Sequence, residues 1–291
     1  ENTEQFTNYL AKLMSLEQNI NTSTASWLNR MVLVGDTASS GISTIYTNQY
    51  ISDLATEVNP DYTYATEYSG SPSSANINTA INTGVAFYNY RGYIGMSGWP
   101  STMSSMYNGS KLFHAVFITC NTGSFGGGTA TTESVVRYGT AASLGGAITA
   151  IGMATSSTHT PMNNCLNVGI FHNIYPQGGR EMGTAMLNGK IYLYSVYGVS
   201  NATQAYNFSR FCNLIGDPTA AVYVGPPDTF IVDSPSSIAE GTSTLRIGVK
   251  DSTNQPMAGA SVALTNGSDL QVIGFTDATG YALLEIAPTL S

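Results

Sequence analysis

The sequence predicts an α/β domain with a mostly parallel sheet, followed by a small β-sandwich. Three observations predict it. Short apolar runs alternate with helically spaced segments through residue 226. The composition changes at Gly225-Pro226-Pro227. Beyond that point only short strands separated by turn signals are found.

The elements follow in order. Phe6, Tyr9, Leu10 and Leu13 repeat at helical spacing, and Asn2 with Gln5 resembles a capping box. Met31 to Val34 is an apolar run closed by Gly35-Asp36, as a buried parallel strand would be. Ile45, Tyr50, Ile51 and Leu54 predict a second helix. Val85 to Tyr90, closed by Arg91-Gly92, and Phe113 to Thr119, closed by Cys120-Asn121-Thr122-Gly123, predict two more strands. A helix capped by Thr132 comes next, then a strand over Gly146 to Gly152. Helices over about 163–173 and 180–197 complete the first domain, 1–226. The second domain, 227–291, carries strands at Phe230 to Val232, Thr244 to Val249, Ala260 to Leu264, Val272 to Phe275 and Tyr281 to Ile286. Turns separate them at Ser252 to Pro256, Asn266-Gly267 and Asp277 to Gly280, the pattern of an immunoglobulin-like sandwich.

Composition excludes several functions. Of 291 residues, 10% are charged, and the formal net charge is −8. Ten Lys and Arg over that length make no basic stripe for nucleic acid or for an anionic membrane surface. No apolar run approaches the roughly 20 residues of a membrane-spanning helix. Roughly a fifth of the chain is Ser or Thr, so neutral hydroxyls coat the surface. The low charge and the sequons at Asn21, Asn108, Asn201, Asn207 and Asn266 are compatible with an extracellular protein. Three cysteines, Cys120, Cys165 and Cys212, permit at most one bridge.

In a parallel sheet, functional groups gather where loops leave the carboxyl ends of strands. Two loops meet that criterion, Gly92-Tyr93-Ile94-Gly95 and Cys120 to Phe125. Neighbouring strands would set Tyr93 and Cys120 opposite each other. Read without further context, Cys120 is a small buried hydrophobe at a strand end.

Phe87 to Tyr93, then Val116 to Phe125 with Glu133, then Gly216-Asp217-Pro218, resemble the gingipain family of cysteine peptidases. The β-module after Asp228 resembles the immunoglobulin-like domain that follows the catalytic domain there. The resemblance covers nearly the whole chain. It implies a caspase-like three-layer α/β sandwich in which a Cys and a His form a dyad at adjacent strand ends. The thiolate attacks the peptide carbonyl, and the imidazole delivers a proton to the leaving amine. By the resemblance, Cys120 takes the nucleophile position, and the backbone of Gly92 and Cys120 holds the oxyanion. Tyr93 stands where the family's His follows a Gly. A phenol, with a pKa of about 10, forms no thiolate–imidazolium pair and is a poor acid toward an amine.

Other histidines are weaker partners. His114 lies six residues before Cys120, about 20 Å along an extended strand. His172 falls in a helix as a packing or surface residue. His159 follows the fourth strand, in a loop that by the resemblance borders the substrate pocket; it is either a substitute partner or a loop residue bonded to hydroxyls. Cys165 and Cys212 either form a disulfide, which secretion permits, or remain two buried thiols. Asp36, Glu67 and Asp217 lie near loops without the dense acidic spacing of a calcium site, so no metal and no cofactor is assigned.

By the resemblance, a leading α/β subdomain and the last sandwich strands are missing from this chain. The open strand edge then invites other protein chains, either copies of itself or segments of one precursor. The expected function is a secreted, catalytically silent gingipain-like protein with a structural or self-assembly role in a surface layer or filament. The alternatives are an active cysteine endopeptidase using Cys120 with an unusual His, and a module that binds peptides in the cleft without cutting them.

Overall fold

The computed structural model describes residues 2–21, 23–93, 95–96, 98–267 and 269–286. Ile94 of the first strand-end loop, and Glu1 and Ser291 at the chain ends, lie outside the described residues. Two compact units divide at Pro226 and Pro227.

In the first unit, α1 (Thr3–Gln18) and a short 3-10 turn lead into β1 (Arg30–Gly35). There follow α2 (Ser43–Val58), β2 (Thr63–Glu67), α3 (Ser74–Thr83), β3 (Phe87–Arg91), α4 (Trp99–Ser104), β4 (Phe113–Ile118), α5 (Thr131–Arg137) and β5 (Ala147–Met153). The unit ends with α6 (Thr160–Ile174), α7 (Met182–Tyr197), α8 (Ala202–Phe211) and β6 (Cys212–Gly216). The sheet order is β2-β1-β3-β4-β5-β6, parallel except for β6 against β5.

The central strands are buried on both faces and alternate between two cores, as period-2 side chains must. Met31, Leu33, Phe87, Val116, Ile118 and Ile151 meet α2, α6, α7 and α8. Val32, Val34, Tyr88, Tyr90, Ala115 and Phe117 meet α3, α4 and α5. This is the mostly parallel α/β domain that the strand and helix pattern predicts, in the three-layer form that the resemblance implies. A buried amide cluster crosses the first core: Asn89 on β3 donates to Asn48 of α2 at 2.8 Å and to Asn167 of α6 at 3.0 Å.

Two capping expectations are corrected. At α1, Asn2 Oδ1 accepts the Gln5 N–H at 3.0 Å, but the returning arm is not made, and Gln5 Oε1 is buried without a partner. At α5 the cap is Ala130, whose N–H donates to the Glu133 carboxylate at 3.2 Å. Thr132 instead points inward, its hydroxyl donating to Thr122 O at 2.9 Å, because the loop after β4 packs on that turn.

The second unit is antiparallel. β7 (Ile231–Asp233), β8 (Thr244–Lys250) and β11 (Tyr281–Glu285) form one sheet, and β9 (Ser261–Asn266) pairs with β10 (Asp269–Phe275). Leu245, Ile247, Val249, Ala282 and Leu284 form its small core, against which Val262, Leu264 and Val272 pack. Gly267, at φ 63°, supplies the left-handed residue the β9–β10 hairpin requires.

Candidate active site

The site is assembled by register. Arg91 on β3 lies opposite Ile118 on β4, so the chain leaves both strands at one level and carries Gly92 and Cys120 to the same edge of the sheet. The Thr119 hydroxyl donates to Gly92 O at 2.8 Å and locks the two exits together. Asn121 is left-handed at φ 58°, a conformation Asn tolerates, and its N–H donates to Thr155 O at 2.9 Å beyond β5. Cys120 therefore sits on a turn tied to three strand ends. Gly92 has no alternative: a Cβ there would lie 2.6 Å from Asp36 Cβ and 2.7 Å from the Tyr90 hydroxyl. Neither Gly92 nor Cys120 spends its N–H on another described residue.

Cys120 is half-buried, and its Sγ lies 3.0 Å from Thr158 Oγ1. No imidazole bonds this sulfur. His159, at the cap of α6, stacks its ring on Phe208 with centroids 5.8 Å apart. His114 is enclosed in the sheet, with Nδ1 2.8 Å from Thr149 Oγ1 and Nε2 3.1 Å from Ala221 O, and burial pulls its pKa down to about 4. His172 stacks on Tyr192 at 6.0 Å. The Tyr93 side chain is 48% exposed, and its phenol makes no hydrogen bond to Cys120.

Arg91 is the unforeseen member. It is fully buried at the end of an apolar strand and forms no ion pair among the described residues. Its Nε donates to Asn164 Oδ1 at 2.8 Å, Nη2 to the same oxygen at 2.5 Å and to Thr160 O at 3.4 Å, and Nη1 to Ile118 O. Burial draws the guanidinium down to about 9, while Tyr90 and Cys120 favour its charged form. One cation thus ties the strand carrying Cys120 to the segment carrying Thr158. The signal in the sequence was the lone Arg closing an apolar run. Thr158 carried none, because only tertiary packing brings it to the sulfur. Asp36, fully buried at the end of β1, accepts from the Tyr90 hydroxyl at 2.7 Å and from Ala38 N–H at 2.9 Å.

All three cysteines are free, so the Cys165–Cys212 bridge is not formed. Cys165 Sγ points from α6 toward Tyr192 O, 3.8 Å away, while Cys212 is buried at the start of β6 opposite Met153. Burial pushes these thiols up to about 11 and about 12, respectively. Among the described residues no group of three or more His, Cys, Asp or Glu could hold a metal ion, and no helix is long and apolar enough to cross a membrane.

A mostly parallel sheet between two helical layers, with a thiol at the carboxyl ends of its middle strands, defines the class: a three-layer α/β protein whose candidate site lies at that strand edge. Comparison with known families narrows it. The profile of peptidase family C25 matches residues 1–223, and the chain belongs to that family. Among solved structures, the Arg-specific cysteine proteinase gingipain R (RgpB) superposes with a TM-score of 0.79 at 20% identity, covering 98% of this chain and 67% of that one. A complex of the Porphyromonas gingivalis RgpB pro- and mature domains gives 0.80 at 19%, covering 98% and 68%. A third structure, described as a protease, gives 0.73 at 18%, covering 98% and 66%. The chain therefore spans about two thirds of the length of these structures. No curated protein sequence matches it.

Proposed function

We propose that this chain is a catalytically silent member of peptidase family C25, working outside the cell as a structural or assembling component. One observation carries the reading. The group on the Cys120 sulfur is the hydroxyl of Thr158, and each of the three imidazoles is engaged elsewhere. A threonine hydroxyl neither loses nor gains a proton to become charged near neutrality, so it supplies neither the base that activates a thiol nor the acid that protonates a leaving amine. Tyr93, on this reading, occupies the family's His position. The unspent N–H groups of Gly92 and Cys120 fit an oxyanion hole left behind after the dyad was lost.

The extracellular and assembly roles rest on the surface. With 10% charged residues, most of the surface is neutral and can be covered by another chain without desolvating charged groups. The antiparallel unit over residues 227–291 is read as the immunoglobulin-like module that follows the catalytic domain in this family. Its β7 strand is exposed along its length, an edge suited to pairing with another chain.

A second reading has one observation in its favour: His159 directly follows Thr158, so the same segment carries an imidazole next to the site. A peptide bearing a thiol-reactive ketone separates the two. The silent reading expects slow labelling of Cys120, unchanged by His159→Ala. Rapid stoichiometric labelling, lost in both Cys120→Ala and His159→Ala, would establish an active endopeptidase instead. Sedimentation at rising protein concentration tests assembly, and a monomer throughout would remove that part of the proposal.

A further inference from the structure

On the opposite side of the first unit, α1 carries a lysine that the peptidase fold does not use. Lys12 is 1% exposed, and its Nζ donates to Val136 O at 2.6 Å and Ala147 O at 3.4 Å. No carboxylate bonds to it among the described residues. Burial alone draws its ammonium down to about 7. A large share of this amine therefore keeps a free lone pair near neutrality. The other three lysines, Lys111, Lys190 and Lys250, are only partly buried.

Lys12 lines a cavity of about 280 Å³ together with Gln5, Tyr9, Glu133 and Arg137. Phe6 also lines it and is 61% exposed, so the cavity reaches solvent. Three of its polar groups are already satisfied. The Tyr9 hydroxyl donates to Ile148 O at 3.0 Å and accepts from Asp217 N–H at 2.5 Å, and Glu133 pairs with Arg137 at 3.1 Å. Gln5 is not: its Oε1 is buried with no partner. An acceptor left dry in this way is costly, and a ligand that donates to it recovers that cost.

We propose that this cavity is a reactive-amine site, in which Lys12 Nζ condenses with a small hydroxyaldehyde whose hydroxyl donates to Gln5 Oε1. The lone pair of Nζ attacks the carbonyl carbon, and a proton passes from nitrogen to the former carbonyl oxygen. The carbinolamine hydroxyl then takes up one proton from solvent and leaves as water, so the nitrogen keeps its remaining proton in a protonated C=N bond. No oxidant or reductant enters the condensation. The protonated imine retains one N–H, which Val136 O is placed to accept.

Glycolaldehyde with cyanoborohydride at pH 7.5 tests this on the whole chain, because the hydride fixes the imine as a secondary amine that peptide mapping by mass spectrometry locates. The expected result is that Lys12 is labelled about tenfold or more faster than Lys111, Lys190 or Lys250. Its labelling saturates with aldehyde concentration, and Gln5→Leu raises the half-saturating concentration several-fold without changing the rates at the other lysines. Lys12→Met, checked for an unchanged circular dichroism spectrum, takes up only the slow labels. Labelling that follows exposure across the four lysines, or a Lys12 that reacts only in urea, would overturn the site. So would a Gln5→Leu variant that labels like the parent.

Discussion

At the scale of single residues, Arg91 braces the site and His114 sets how the fold responds to acid. Arg91 satisfies Ile118 O, Thr160 O and the Asn164 side chain with one guanidinium. Arg91→Met keeps most of the volume and removes every donor. Each orphaned buried acceptor costs about 1–3 kcal/mol, so the variant should lose roughly 3 kcal/mol or more in urea unfolding. Thr158 should also drift from the sulfur in that variant, which faster alkylation of Cys120 would report. His114 makes a prediction about acid. Its pKa is near 4 in the fold against 6.5 for the free group, so between these values the unfolded chain binds a proton the native chain does not. Stability is thus unaffected above pH 6.5 and falls as pH drops toward 4, by about 3 kcal/mol if the shift is fully expressed. Titrated unfolding of the parent and of His114→Gln checks this; the variant should lose most of the slope. Legibility at this scale was uneven. Cys120 and Gly92 could be found because turn residues close their strands. Thr158 could not, because its contact depends on how the β5–α6 connection folds back over β4.

At the scale of elements, the apolar runs that became β1, β3, β4 and β5 were readable because strands buried on both faces are continuously hydrophobic. The elements absent from the sequence reading lack that signal. β2 is a half-exposed edge strand of mixed polarity, α3 is rich in Asn and Thr, which are poor helix formers, and β6 follows α8 without a loop. The α6–α7 pair shows what periodicity cannot reveal. Gly169 and Gly189 let the two helices approach closely: a Cβ on Gly169 would lie 2.9 Å from Gly189 Cα, and one on Gly189 would lie 2.7 Å from Ile170 Cγ1. Gly189→Val should force them apart and cost about 1–3 kcal/mol, read as a lower urea midpoint. Gly152 plays the same part for the site, since its Cβ would lie 2.9 Å from both Gly123 N and Thr122 Oγ1. Gly152→Ala should therefore disturb the turn after Cys120 as well as the stability of β5. A change in alkylation rate at Cys120 would show the first effect, and a lower urea midpoint the second.

At the scale of the whole molecule, a peptidase fold is retained around a thiol whose hydrogen-bond partner is Thr158 rather than an imidazole. Strand register and glycine placement bring Cys120 to the carboxyl edge of the sheet, while the three histidines meet Phe208, Thr149 and Tyr192. Retention of geometry without proton transfer is what separates a silent member of the family from a working one, and a single kinetic comparison probes it. Purified chain and its Cys120→Ala variant are incubated with a mixed library of unfolded peptides, and cleavage is followed by mass spectrometry. The account predicts indistinguishable, background-level product from the two. Turnover in the ordinary enzymatic range of about 1–10³ s⁻¹, abolished by Cys120→Ala, would contradict it.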